Sequence, residues 1–313
     1  MTTRAERMQR RRRVDALAST QGWVISRHQL HQLGVDRHAI AAEVAARRWF
    51  LPARHTVAVR TGALTILATQ WCAIWETGAG AVLGGVTALQ AAGLTGFDSG
   101  MSHVSVLRGH SPRRLRPVRL HELTTRLSDE VDARGVPRVR PGVAALRAAG
   151  WAVSDRQAAL LLVLPVQQRL VSASRLEELL PVIPLQRRRG LIHSLVRDIA
   201  DGAESLGELD FAGLCRQWGL PEPSRQVLRQ GPNGRIYLDV RWDALDLVVE
   251  IEGIHHEHGL QPVDDSLRQN DITLSHDRVL RIPVLGLRLQ PSTFMRQVVA
   301  AHRQAAARAH ATQ

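Results

Sequence analysis

The sequence predicts a multidomain protein of mixed class, α+β with an α/β domain at its C-terminal end. Three observations predict it. Apolar residues recur at helical spacing over most of the chain but switch to strict alternation between Arg235 and Gly253. The length, 313 residues at 44% hydrophobic content, suffices for two or three cores. Charge is uneven: residues 1–60 hold twelve Arg against Glu6, Asp15, Asp36 and Glu43, a surplus of eight within a whole-chain net charge of +12. The expected divisions are 1–60, a small helical unit with two strands; 61–200, a mostly helical connecting region; and 201–313, the α/β domain.

The chain contains no Lys, so every basic side chain other than His is Arg. An all-Arg set suits planar, two-pronged contacts to phosphate and guanine, although codon bias produces the same composition. Cys72 and Cys215 are far apart in apolar surroundings, which points to buried thiols in a reducing compartment. No apolar segment of secretory type follows the Arg10–Arg13 run, and no stretch reaches the roughly 18 apolar residues of a membrane span. The expectation is a cytoplasmic protein with no membrane partner.

Val14, Leu17 and Ala18 set the first helical stripe, which Gly22 ends. Ser26 is placed to cap a second helix through Leu33. In Gly34-Val35-Asp36 the glycine ends that helix and the aspartate caps the next, about Arg37 to Arg47, with Ile40 and Val44 inward. Trp49-Phe50-Leu51-Pro52 and Thr56-Val57-Ala58-Val59 form two short strands, which makes the plan a winged helix-turn-helix. Such a helix presents its N-terminal side chains to base edges, with basic neighbours on phosphates. The candidates for DNA contact are Arg27, Arg37, His38, Arg47, Arg48 and Arg54. The competing reading is a winged helix used for dimerisation or packing.

Across the middle region Trp71, Ile74 and Trp75 share a helical spacing and read as core, and a second helix follows near Val86 to Ala92. His103 to Leu107 looks like a strand, Pro112 to Arg119 a basic loop or edge strand, and Val136 to Gly142 another extended piece. From Val143 to Ile199 helices dominate, punctuated by Pro165, Pro181 and Pro184. No catalytic constellation is visible there.

The C-terminal block begins with a helix carrying Leu206, Glu208, Phe211 and Leu214. A hairpin follows. Ile236, Leu238 and Val240 alternate with Tyr237, Asp239 and Arg241; Leu247, Val249 and Ile251 alternate with Val248, Glu250 and Glu252. Period two puts Glu250 and Glu252 on one face, and pairing through the turn lets Asp239 join them. Converging carboxylates need a neutraliser, and the usual one for an all-oxygen set is Mg2+ or Mn2+. His255, His256 and His258 with Glu257 fit no standard structural zinc spacing. Val279 to Val284 reads as the next strand and Phe294 to Ala301 as a closing helix.

Asp, then about ten residues, then Glu-x-Glu in an apolar strand resembles the core of the PD-(D/E)XK nuclease superfamily. The block Glu250, Glu252, Gly253, His256, Asp264, Asp265, Arg268 and Asp271 is similar to the branch of very-short-patch repair endonucleases, over residues 203–300. That resemblance implies a restriction-endonuclease-like fold and phosphodiester hydrolysis with Mg2+ or Mn2+. Glu208, Asp239, Glu250 and the Ile251 carbonyl would be the metal ligands, and Glu252, His256 and Arg268 would share the catalytic work. The superfamily's lysine would stand at Glu252, where an acid cannot supply its charge. The N-terminal block, Gly22 to Arg27 through Gly34-Val35, Arg48-Trp49 and Val57 to Val59, resembles the N-terminal domain of AbiEi-type antitoxins. Together these imply a DNA-binding protein with a metal-dependent endonuclease domain. The alternative is an antitoxin-like transcriptional regulator, with a toxin or a second copy as partner, whose nuclease-like domain is degenerate.

Overall fold

The computed structural model describes residues 4–113, 117–200, 209–230, 236–253, 263, 266–267, 270 and 279–311. It is of mixed α and β class, and divides into two compact units, Met1–Ala148 and Ala149–Gln313. The stretch 61–200 contributes to both.

The first unit opens with α1 (Arg4–Ser19), β1 (Val24–Ser26), α2 (Arg27–Gln32), α3 (Arg37–Ala45) and β2 (Thr56–Ala58). Local chemistry sets the boundaries. Ser26 Oγ accepts from Gln29 N while the Gln29 side chain accepts from Ser26 N, a reciprocal cap that satisfies two otherwise orphaned donors. Asp36 accepts from Ala39 N at the start of α3. β1 pairs antiparallel with β2, and Phe50 bridges Ala58 on the far side through bonds of 3.0 and 2.9 Å. One face of this sheet closes on Val14, Ala18, Leu30, Ile40 and Trp49. The other packs on α4 (Ile66–Thr77) through Ala68, with Trp71 and Trp75 against it. Buried Glu76 ties α4 to β2 by accepting from His55 N and Thr56 Oγ1 at 2.6 and 2.8 Å. Gly22 is required twice over: its φ is +71°, and a Cβ there would meet Thr65 Oγ1 at 2.6 Å.

Beyond α4 the sequence predicts a mostly helical region with a strand at His103–Leu107 and an extended piece at Val136–Gly142; strands form at both places, as members of a five-stranded sheet. Its strands are β3 (Val82–Leu83), β4 (Ser102–Leu107), β5 (Val118–Leu123), β6 (Val131–Asp132) and β7 (Arg138–Val139), with α5 (Gly85–Ala91) between the first two. The sheet order is β5-β4-β3-β7-β6, and β3, β6 and β7, two residues each, carry no period for the pattern to show. Among the described residues β5 is an edge strand, and Arg113 ahead of it closes the end of α4 by donating to the Trp75 and Glu76 carbonyls. Helix α6 (Pro141–Trp151) runs across the division between the units.

The second unit contains α7 (Asp155–Gln167), α8 (Ala173–Leu179), α9 (Arg189–Ala200) and α10 (Phe211–Gln217), then β8 (Arg225–Gln230), β9 (Ile236–Trp242), β10 (Leu247–Glu252), β11 (Val279–Pro283), α11 (Val284–Leu289) and α12 (Pro291–Ala311). Pro165 lies inside α7, in its last turn, and does not separate helices. The sheet order is β11-β10-β9-β8; β8, β9 and β10 are antiparallel in turn and β11 is parallel to β10. Leu238, Val240, Leu247, Val249, Ile251, Leu280 and Ile282 are buried, with Phe294, Met295 and Val298 of α12 also fully covered. Asp198 of α9, 1% exposed, receives two bonds from Arg288 of α11.

Candidate functional site

The β9–β10 hairpin forms as its alternation dictates, turning through a 3-10 segment, Asp243–Leu245, with Asp246 left-handed at φ +51°. Its register places Glu250 directly opposite Asp239. On the other side of β10, Glu250 is the register partner of Arg281 in β11. Asp239, Glu250 and Arg281 therefore form one row across three adjacent strands, on the face opposite the buried Val249 and Ile251. Arg281 Nε lies 3.2 Å from Glu250 Oε2. Glu252 is on the same face one pleat further, opposite Tyr237.

Ile251 is in the ladder on both sides, opposite Leu238 and Ile282. Glu208, His256 and Arg268 lie outside the described residues, as does the histidine segment 255–258. Among the described residues, no three His, Cys, Asp or Glu side chains gather closely enough to hold a metal ion. The register thus brings two of the expected ligands, Asp239 and Glu250, opposite one another, while Glu208 lies outside the described residues. Sequence reasoning missed Arg281, which is 31 residues from Glu250 and reaches it only through the parallel pairing of β11.

The basic candidates sit on the first unit. Arg37 and His38 are exposed at the start of α3, with Arg37 Nε donating to His38 Nε2 at 3.2 Å. The Ala39 and His38 amides, with His38 and Arg10 nearby, hold the Asp36 carboxyl below its ordinary range despite some desolvation. Arg47, left-handed at φ +55°, and Arg54 are exposed. Two others have internal work: Arg27 Nε donates to the Arg54 carbonyl at 2.8 Å, and Arg48 Nε to Glu43 at 2.7 Å. That bond, and the Arg11 charge close by, lower the Glu43 carboxyl.

A histidine pair went unseen in the sequence. His103 of β4 and His121 of β5 stack with ring nitrogens 3.0 Å apart. Burial, with Arg119 nearby, lowers His103 to about 4; burial, then His103 and Arg119, lower His121 to about 3. No pattern of spacing announces the pair, which arises from the β4–β5 pairing alone.

No helix among the described residues is long and apolar enough to cross a membrane. No family profile matches the chain, and no curated protein does. A solved structure of the RV2827C protein from Mycobacterium tuberculosis is similar at 18% identity, over 64% of this chain and 80% of that one, with a TM-score of 0.39.

Proposed function

We propose that the chain is a DNA-binding protein whose C-terminal α/β domain is a metal-dependent endonuclease. The observation that carries this reading is the register that sets Asp239 opposite Glu250 on adjacent strands. Asp239 and Glu250 would hold Mg2+ or Mn2+, with the Ile251 carbonyl and Glu208. When bound, the ion would make a water nucleophilic near neutral pH and offset charge on the phosphate. Glu252 and His256 would orient water at the strand's end, and Arg268 would grip the DNA backbone. In residues 1–60, which we read as a winged helix-turn-helix, Arg37 and His38 would meet base edges while Arg47 and Arg54 meet phosphates.

The experiment is nicking of supercoiled plasmid with Mg2+ and with Mn2+, wild type against Asp239→Ala and Glu250→Ala, with chelator as blank. Cleavage by wild type alone supports the reading; equal cleavage by all three removes the acidic row from the mechanism.

One observation favours a second reading, an antitoxin-like regulator with a degenerate nuclease-like domain: Glu250 already has a cationic partner in Arg281. Sequence-specific retention of duplex DNA in chelator, with no cleavage in any metal, would favour it.

A further inference from the structure

Because the chain contains no lysine, any cation serving the acidic row is an arginine or a histidine. Arg281 is placed for this, and its two ends are held very differently. Its backbone N–H donates to Asn270 Oδ1 at 3.0 Å and its carbonyl accepts from Asn270 Nδ2 at 2.9 Å. Asn270 is 1% exposed; its Nδ2 also donates to Gln297 Oε1, and Gln297 Nε2 donates to the Leu267 carbonyl. The side chain of Arg281 is by contrast 61% exposed, against 18% for Glu250. A fixed backbone beneath a solvated guanidinium lets the charged end change partner while β11 stays in place.

Resting on the endonuclease reading above, we propose that Arg281 is the exchangeable cation of the site. It neutralises Glu250 while no divalent ion is bound, and moves to a DNA phosphate when one is. Two carboxylates opposed across a ladder destabilise each other unless positive charge is near. A guanidinium and a divalent ion compete for the same carboxylate oxygens, so binding of one weakens the other. Once displaced, the guanidinium matches phosphate oxygens in shape and charge, and its anchor holds it one strand from Glu250. The exchange makes and breaks ion pairs only; no proton or electron moves.

The test uses the full chain as wild type, Arg281→Met and Arg281→Lys, with Mn2+ binding measured by calorimetry in the absence of DNA and plasmid nicking measured in parallel. Arg281→Met is expected to bind Mn2+ roughly two- to fivefold more tightly, the scale of a partly exposed ion pair. Its nicking is expected to fall about a hundredfold, as when one charge-stabilising donor is removed. Arg281→Lys, which keeps the charge, should fall between the two on both readouts. Unchanged Mn2+ affinity in Arg281→Met, or nicking at the wild-type rate, overturns the inference and leaves the endonuclease reading standing. If neither wild type nor Arg281→Met binds Mn2+, the endonuclease reading is lost and the inference goes with it.

Discussion

Arg147 and Glu130 meet as a two-pronged pair, Nη1 on Oε1 at 2.7 Å and Nη2 on Oε2 at 2.9 Å, with side chains 5% and 0% exposed. Leu127 N donates to the same carboxylate at 2.8 Å, and Arg126 Nε is 3.4 Å away. Removing one partner strands the other's charge in the interior. Glu130→Ala is expected to cost about 3–5 kcal/mol in urea unfolding, and replacing both with apolar residues of similar volume much less. Equal losses in the two variants would contradict the pairing.

The histidine pair makes stability depend on pH with a definite sign. Both pKa values are lowered in the fold, to about 4 and about 3, so the unfolded chain takes up protons at a pH where the folded chain does not. Their contribution is whole above the ordinary value of about 6.5 and is lost as pH falls from there toward the folded values. The urea midpoint should fall between about pH 7 and about pH 5, and a His103→Asn, His121→Asn double variant should flatten that slope. A slope identical in both proteins would assign the effect elsewhere.

Gly286, in α11, lies against a ring that has nowhere to go. A Cβ there would stand 2.8 Å from Phe294 Cζ and closer still to Cε2, and Phe294 is fully buried. Gly286→Ala should therefore destabilise by about 1–3 kcal/mol, despite alanine's better helix propensity. Thermal melting measures it, and an unchanged or raised midpoint would contradict the contact.

The basic candidates should separate by salt titration of DNA binding. Arg54→Ala should weaken binding to all sequences and shallow the slope of log affinity on log salt by about 0.9, the signature of one lost phosphate contact. Arg37→Ala should instead reduce discrimination between sites. Arg48→Ala should do less than either, since its guanidinium is already engaged by Glu43. The reverse order would move the interface away from α3.

Where one residue's chemistry fixes a boundary, the sequence was readable: Ser26 and Asp36 cap the expected helices. Period two likewise disclosed which residues of β9 and β10 share a face, and so two of the row's three members, Asp239 and Glu250. What the pattern could not carry was pairing between distant segments. β1 is three residues long and is recognisable only beside β2. Glu130 finds Arg147 because β6 and α6 bring them together, and Arg281 reaches Glu250 through a parallel pairing. Trp71 and Trp75 do pack on the small sheet, as apolar neighbours suggest, but half-buried and stacked on one another at 5.0 Å.

The amide of Asn270 has one more effect, which concerns assembly. Among the described residues β11 is a border of its sheet, and pairing alternates along a strand, so Val279, Arg281 and Pro283 turn their main-chain groups outward together. Asn270 occupies both groups of Arg281, and Pro283 has no N–H to give. A visiting strand finds its ladder interrupted at two of those three positions, while the opposite border, β8, has no such plug among the described residues. Among the described residues, strand addition at β11 is thus hindered by a side-chain amide and a proline.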